Sequence, residues 1–272
     1  KALTFGMLGC DLHCDFCQNW LTSQTLRDPA AEEGGLYVQK VTPEQLTTYA
    51  LSSGASLMVS SYNEPLITSE WAAQVFQKAR EAGLLCAYVS NGYATPEALH
   101  SLRPYLSAYK IDLKCMHEKG YRELGGLLQP VLDTIQLARD LGLWVEVVTL
   151  VIPGFNDSNE ELWETARFLA SVSGDIPWHV TAYHPDYKQD APPTPASTLQ
   201  RAAEIGQEAG LRYVYAGNLP GRVGSLEDTF CPRCQTRLVQ SRGYYILEKR
   251  ITGVGACPKC GEKIAGVWTR SR

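Results

Sequence analysis

Cys10, Cys14 and Cys17 stand in Cys-Asp-Leu-His-Cys-Asp-Phe-Cys, a CxxxCxxC run. Three thiolates this close on one loop can each take an iron of a [4Fe–4S] cube, which is saturated only by a fourth thiolate. The remaining iron is then open. It can chelate a small ligand through an amine and a carboxylate, the two groups at the methionine end of S-adenosylmethionine (SAM). An electron passed into the sulfonium of that ligand breaks a carbon–sulfur bond and yields a 5′-deoxyadenosyl radical, able to take hydrogen from an unreactive C–H. In such a site the cofactor carries the hard chemistry and the protein supplies position and shielding. The same run also reads as a zinc site or as a cysteine-rich loop. Cys14 and Cys17 alone read as a redox CxxC of the thioredoxin kind.

A second set lies near the C-terminus. Cys231-Pro-Arg-Cys234 and Cys257-Pro-Lys-Cys260-Gly261 are two CxxC knuckles separated by 22 residues. Four thiolates on two tight turns suit a closed tetrahedral Zn²⁺ site, and the spacing is that of zinc ribbons. A segment this short buries too little core to fold by itself, so the metal is expected to supply folding energy. The alternative is iron, either rubredoxin-like or as an auxiliary cluster. Four cysteines leave no open position, so substrate chemistry is not expected there.

Both sets need a frame, and the pattern from residue 3 to about 215 provides one. Strand-like segments at 3–9, 56–62, 84–90, 107–113, 143–152, 178–183 and 211–215 alternate with helix-like segments. Thr42-Pro43-Glu44 and Thr95-Pro96-Glu97 each open a helix, with threonine as N-cap and proline in the first turn. Further helices are expected over 68–82, 131–141, 156–171 and 196–209. About seven βα units in series argue for a parallel sheet with right-handed crossovers, and so for an α/β fold of the TIM-like barrel type, partial or full. A thioredoxin fold does not have this many such units. Barrels of this kind carry their chemistry at the C-terminal ends of the strands. Cys10, Asn63-Glu64, Asn91, Asp112, Pro153 and His184 fall at those places. Lys110, Asp112 and Lys114 alternate with Ile111 and Leu113, so the polar set should face the lumen. Glu146 in the apolar fifth strand should face the lumen or pair with a cation. After residue 215 the pattern breaks. We expect a barrel over 1–216, then a linker and a small metal-held module over 217–272.

Gly9–Trp20 (GCDLHCDFCQNW), Ser61–Pro65 (SYNEP), Ser90–Gly92 (SNG), Lys110–Lys114 (KIDLK) and Val151–Asp157 (VIPGFND) together resemble the radical SAM superfamily, nearest to enzymes similar to the pyruvate formate-lyase activating enzyme. Gln18-Asn19-Trp20, His179–Tyr187 (HVTAYHPDY), Tyr213–Asn218 (YVYAGN) and the paired CxxC resemble the AmmeMemoRadiSam system radical SAM enzymes. The resemblance covers nearly the whole chain. That family usually carries a further N-terminal segment with its own cysteines, which these 272 residues do not include. The resemblance implies that Asn63-Glu64-Pro65 replaces the motif that meets the SAM amino group. It places Asp112 near the SAM carboxylate and ribose, and Asn91 at a ribose or carboxylate contact. Ile152 and Phe16 then lie against adenine, and His184 contacts SAM. Without the resemblance, Glu64 reads as a turn carboxylate, Asn91 as a turn-forming residue, Phe16 as core and the Lys110/Asp112/Lys114 trio as an ion-pair network. No side chain beyond the cluster and SAM sites is singled out as catalytic.

The net charge is −4, and no basic run or basic–aromatic interleaving suggests nucleic-acid binding. No apolar stretch reaches the roughly 20 residues of a membrane span, and no signal peptide is visible. Seven of the nine cysteines fall in tight clusters, which in a chain of this size read as metal ligands rather than disulfides and place the protein in a reducing cytoplasm. The expected function is that of an oxidoreductase of the radical SAM type, similar to the activating enzymes of glycyl-radical systems. It would use a [4Fe–4S] cluster, SAM and Zn²⁺, with a one-electron reductant such as flavodoxin or ferredoxin. AMMECR-type and MEMO-type proteins are the partners that the resemblance implies. The substrate, protein or small molecule, is left open. The competing reading is a catalytically silent metal-binding interaction module of a multi-protein system. Intact Cys10, Cys14, Cys17, Glu64 and Asp112 argue against it.

Overall fold

Seven strands taken in chain order build one sheet in the computed structural model, which describes residues 1–34 and 38–268. They are Ala2–Phe5 (β1), Leu57–Ser60 (β2), Leu85–Ser90 (β3), Ala108–Asp112 (β4), Trp144–Val151 (β5), Trp178–Ala182 (β6) and Val214–Gly217 (β7). The pairs β1–β2, β2–β3, β3–β4, β5–β6 and β6–β7 are parallel. Helices fill the connections, as parallel neighbours require. This is the expected α/β arrangement of consecutive parallel βα units. The chain groups into two units, one of Lys1–Val145 with Pro185–Asp190, the other of Glu146–His184 and the described residues from Ala191 on.

In the first unit the helices are Trp20–Ser23 (α1), Pro29–Glu33 (α2), Pro43–Ser52 (α3), Ser69–Glu81 (α4), Pro96–Leu102 (α5), Glu118–Glu123 (α6) and Leu128–Asp140 (α7). The two predicted N-caps form. Thr42 makes a reciprocal capping box with Gln45, and the Thr95 hydroxyl accepts the Ala98 N–H. Helix α7 begins three residues earlier than expected and carries Pro130 in its first turn, where the missing N–H has no intrahelical partner to lose. Helix α4 buries Ala72, Val75, Phe76 and Ala79, the i, i+3, i+4, i+7 stripe of a helix with one face on a sheet. Against it runs an aromatic chain. Phe5 meets Trp71 and Phe76 edge-on, Phe76 meets Tyr88, and Tyr88 meets Tyr109, with centroids 5.3–5.9 Å apart. That chain locks β1, β3 and β4 under α4.

In the second unit, β5 alternates strictly between part-buried and buried residues, ending with Val145, Val147, Thr149 and Val151 buried in turn. Asn159–Val172 (α8) starts later than expected because Ser158, not Asn156, caps it. Ala196–Glu208 (α9) presents Leu199, Ala202, Ala203 and Gly206 inward, and a side chain on Gly206 would strike Val214 and Trp178. Beyond β7 a three-stranded antiparallel sheet forms from Thr229–Phe230 (β8), Arg237–Arg242 (β9) and Tyr245–Lys249 (β10), in the order β10-β9-β8. Its small core is Cys231, Leu238, Cys257 and Ile264 packed with Tyr213, and the Tyr215 and Thr229 hydroxyls are 3.1 Å apart. Residues on both sides of position 216 thus share one core. Among the described residues no helix is long and apolar enough to cross a membrane.

Candidate active site and metal centre

Strand β1 stops at Phe5, earlier than the expected residue 9, and the cysteines ride on the loop that follows. Gly6 permits the close pass at which an added Cβ would come within 2.6 Å of the Ser61 carbonyl oxygen. Gly9 (φ +97°) donates to Thr22 and accepts the Glu64 N–H. Past it, the Leu12 carbonyl accepts from Gln24 and Arg27, and Arg27 also donates to the Cys10 carbonyl. The loop is therefore tied to α1, to the segment that follows α1 and to the turn after β2 before any metal binds.

The sulfurs have hydrogen-bonding neighbours of the kind that tune iron–sulfur clusters. Ser23 Oγ lies 3.1 Å from Cys17 Sγ, and Asn91 Nδ2 lies 4.0 Å from Cys10 Sγ. Burial pushes the Cys14 thiol up to about 11, with the Lys114 ammonium pulling the other way; burial also raises Cys10. Metal binding deprotonates thiols, and the Lys114 ammonium gives Cys14 a compensating charge, so three cysteines on one loop fit a thiolate-ligated cluster. Phe16 is buried between Cys14 and Cys17.

Glu64 is the centre of the polar network. It is 1% exposed. One carboxylate oxygen accepts the Leu66 N–H at 2.9 Å and the Ser90 hydroxyl at 2.7 Å, and the other accepts the Asn91 N–H at 2.7 Å. Through the Leu66 contact Glu64 caps the 3₁₀ turn Pro65–Thr68. Burial raises its carboxyl to about 8, against the three donors that lower it. Ser90 Oγ in turn accepts from Gly92 N and from Tyr109. Asn91 passes its side-chain N–H to Asp11 at 2.7 Å and accepts the Tyr93 N–H. Asn63 accepts the Met7 N–H and donates to the Glu64 carbonyl. The predicted residues Asn63, Glu64 and Asn91 are thus brought together with the cysteine loop. Asp11 and Ser90, which lie inside the quoted motifs, and Tyr109 complete the network, and none of the three is among the predicted site residues. Asp112 ends β4 and pairs with Lys114 at 2.8 Å. Burial would lower the Lys114 ammonium, but Asp112 and the nearby thiols outweigh it and hold it raised.

Two further predicted residues lie in the second unit. Ile152 follows β5, fully buried, with its N–H donated to Asn156 Oδ1 at 2.7 Å. Asn156 also donates to the Leu150 carbonyl, so it shapes the turn after β5. His184 is exposed, two residues beyond β6. On the part-buried face of β5–β7, Glu146 pairs with His179 Nε2 at 3.0 Å, and the His179 ring stacks on Tyr215 at 5.1 Å. Glu146 thus meets an imidazole on β6.

The four C-terminal thiols converge. Ligand atoms of Cys231, Cys234, Cys257 and Cys260 all lie within 4.8 Å of one another, close enough for one ion. Each knuckle is closed by a backbone turn, Gln235 N–H to Cys231 and Gly261 N–H to Cys257, and Gln235 and Gly261 both take positive φ.

Comparison with known proteins agrees with this geometry. The Radical SAM superfamily model matches residues 5–169. An uncharacterized protein of Methanocaldococcus jannaschii is 36% identical over 270 residues, covering 97% of this chain and 77% of that protein. The isethionate sulfite-lyase activating enzyme of Oleidesulfovibrio alaskensis is 26% identical over 144 residues, 52% of this chain and 46% of that enzyme. The crystal structure of a domain of the pyruvate-formate lyase-activating enzyme from Bacteroides vulgatus superposes with a TM-score of 0.52 at 20% identity, over 59% of this chain and 98% of that domain. The cysteine loop after β1, the parallel βα series and the match over residues 5–169 lead to one assignment: this chain belongs to the Radical SAM superfamily.

Proposed function

We propose that this chain is a radical SAM enzyme of the AmmeMemoRadiSam type, with Cys10, Cys14 and Cys17 holding a [4Fe–4S] cluster. When bound, the cluster and SAM supply the reductive cleavage that generates a 5′-deoxyadenosyl radical. The observation that carries the reading is the cysteine loop after β1 bonded through Asp11 to Asn91 at the end of β3. Phe16, Asn63, Glu64, Asn91, Asp112, Ile152 and His184 are the proposed SAM-binding set. Within it, the buried Glu64 carboxylate fixes the ends of β2 and β3, and Asn91 carries that order to the cysteine loop. The proposed Zn²⁺ ligands are Cys231, Cys234, Cys257 and Cys260, whose closed geometry suits a structural ion. We assign residues 1–216 to the radical SAM barrel and 217–272 to the linker and metal module. Such a radical would abstract hydrogen from the enzyme's substrate, a protein or a small molecule, and activation of a glycyl-radical partner is one precedent. The proposed reductant is a flavodoxin or ferredoxin, the proposed partners are AMMECR-type and MEMO-type proteins, and the proposed compartment is the cytoplasm.

The test is anaerobic reconstitution, reduction with dithionite, addition of SAM and assay of 5′-deoxyadenosine, with Cys14→Ala as control. Product from the parent and none from the variant supports the reading. A fully loaded parent that yields no product, and whose cluster spectrum SAM does not perturb, favours a silent metal-binding module instead.

A further inference from the structure

The turn at Asp186–Gln189 carries a residue that a turn alone would not select. It closes through the Gln189 N–H to the Asp186 carbonyl, and Tyr187 within it sits at φ +56°. Glycine or asparagine takes that conformation readily, whereas a bulky side chain is strained there. Such strain persists only where the side chain is held by something else.

The contacts of this turn show what holds it. The Tyr187 ring stacks on Trp20, centroids 5.2 Å apart and planes 15° from parallel. The Tyr187 hydroxyl donates to Asp28 Oδ2. The Lys188 ammonium reaches the same oxygen at 2.7 Å and lies 4.6 Å from the centre of the Tyr187 ring. The Lys188 N–H donates to the Asp15 carbonyl at 2.9 Å. These partners all belong to the cysteine loop or the segment that braces it. Asp15 lies between Cys14 and Cys17, Trp20 opens α1 three residues after Cys17, and Asp28 precedes α2. Asp28 is ready for this role, since hydrogen bonds from Lys188 and Tyr187 hold its carboxyl down to about 2.

From these contacts we infer that Pro185–Asp190 is a strap over the candidate cluster loop, with Tyr187 and Lys188 as positioning residues that keep Asp15, Trp20 and Asp28 in place and limit the access of water and chelators to the iron. The inference rests on the proposed reading that Cys10, Cys14 and Cys17 hold the cluster. Tyr187 and Lys188 meet Asp15, Trp20 and Asp28, so the two residues act through the loop. A loop that opens locally exposes its metal in proportion to the open population.

The full chain, reconstituted anaerobically, provides the test. EDTA is the probe, and decay of the visible iron–sulfur absorbance gives the rate of iron loss, with Cys14→Ala as the blank. Tyr187→Gly is the decisive variant, because glycine relieves the backbone strain while deleting the stack and the hydrogen bond. The strap predicts apo-protein stability close to the parent's, because relief of the strain offsets part of the lost contacts, yet iron loss faster by about tenfold or more. Tyr187→Phe keeps the stack and should fall between Tyr187→Gly and the parent, and Lys188→Ala should also lose iron faster. The electron paramagnetic resonance signal of the reduced cluster should broaden in Tyr187→Gly and recover in Tyr187→Phe. A loaded parent that loses iron no faster after Tyr187→Gly and Lys188→Ala overturns the strap and leaves the cluster assignment intact. A parent with no absorbance beyond the Cys14→Ala blank overturns both.

Discussion

The Glu64 carboxylate takes the backbone N–H of Asn91 at 2.7 Å, and so fastens the end of β3 to the residue that caps the 3₁₀ turn after β2. Removing that carboxylate leaves the Leu66 N–H, the Ser90 hydroxyl and the Asn91 N–H without their acceptor in a buried site. Each abandoned buried donor costs about 1–3 kcal/mol. Glu64→Ala should therefore destabilise the apo-protein by at least about 3 kcal/mol in urea unfolding. Glu64→Gln, which keeps one acceptor oxygen, should cost less. Equal stability of parent and Glu64→Ala would mean that the network carries no net energy.

The same residue makes stability depend on pH. Its carboxyl is raised by burial from the ordinary 4.5 to about 8, so between those values the folded chain binds more protons than the unfolded one. Stability from this group is fully present below about pH 4.5 and declines as pH rises through about 8, by at most ~1.4 kcal/mol per pH unit. Glu64→Gln removes the titration. Apo-protein melting temperatures from pH 5 to pH 8 (about one reading per half unit) should fall more steeply in the parent than in Glu64→Gln. Parallel curves would contradict the burial effect.

Gly92, in the Ser-Asn-Gly turn after β3, is a position where only glycine fits. Its φ is +73°, and an added Cβ would come within 2.6 Å of Ile111 Cγ2 in the core. Gly92→Ala should therefore lower stability by roughly 1–3 kcal/mol through backbone strain alone, with the clash in addition. The loss should show as a lower melting temperature and as weakened amide protection at Asn91. A neutral substitution would mean that β3 and β4 shift apart at little cost.

The local pattern carried the parallel βα series, the two Thr-Pro-Glu helix starts and the placement of cysteines after the first strand. These are short-range signals of periodicity, capping and spacing. Boundaries drifted where a cap or a loop decided them. β1 ends at Phe5 because Gly6 must pass close to Ser61, and α8 waits for Ser158. Helices α1, α2 and α6 were missed because each is six residues or fewer and too short for a period to register. Asp11, Ser90 and Tyr109 were missed for a different reason. Their partners lie 19–80 residues away, and only the sheet brings them together. Tyr187 was visible as part of a motif, but its positive φ and its stack on Trp20 exist only in the fold.

The C-terminal module offers the clearest separation of metal from fold. Two of its buried core residues, Cys231 and Cys257, are themselves proposed ligands, and with Leu238, Ile264 and Tyr213 they make up the buried cluster. So small an apolar core offsets little of the entropy of ordering the segment, and a bound ion would contribute the difference. Strands β1, β3 and β4, by contrast, rest on the aromatic chain from Phe5 to Tyr109 and need no metal from this site. Cys257→Ser should therefore lower bound metal by about one ion per chain, because a closed tetrahedral site tolerates no missing thiolate. Hydrogen exchange should then show amides of β9 and the two knuckles losing protection, while β2, β3 and β4 keep theirs. A strong chelator should reproduce that pattern in the parent. Metal analysis of the parent discriminates zinc from iron. Unchanged protection across β9 after Cys257→Ser would mean that the packing of Leu238 and Ile264 on Tyr213 suffices without an ion, and that the four thiols are bystanders to folding.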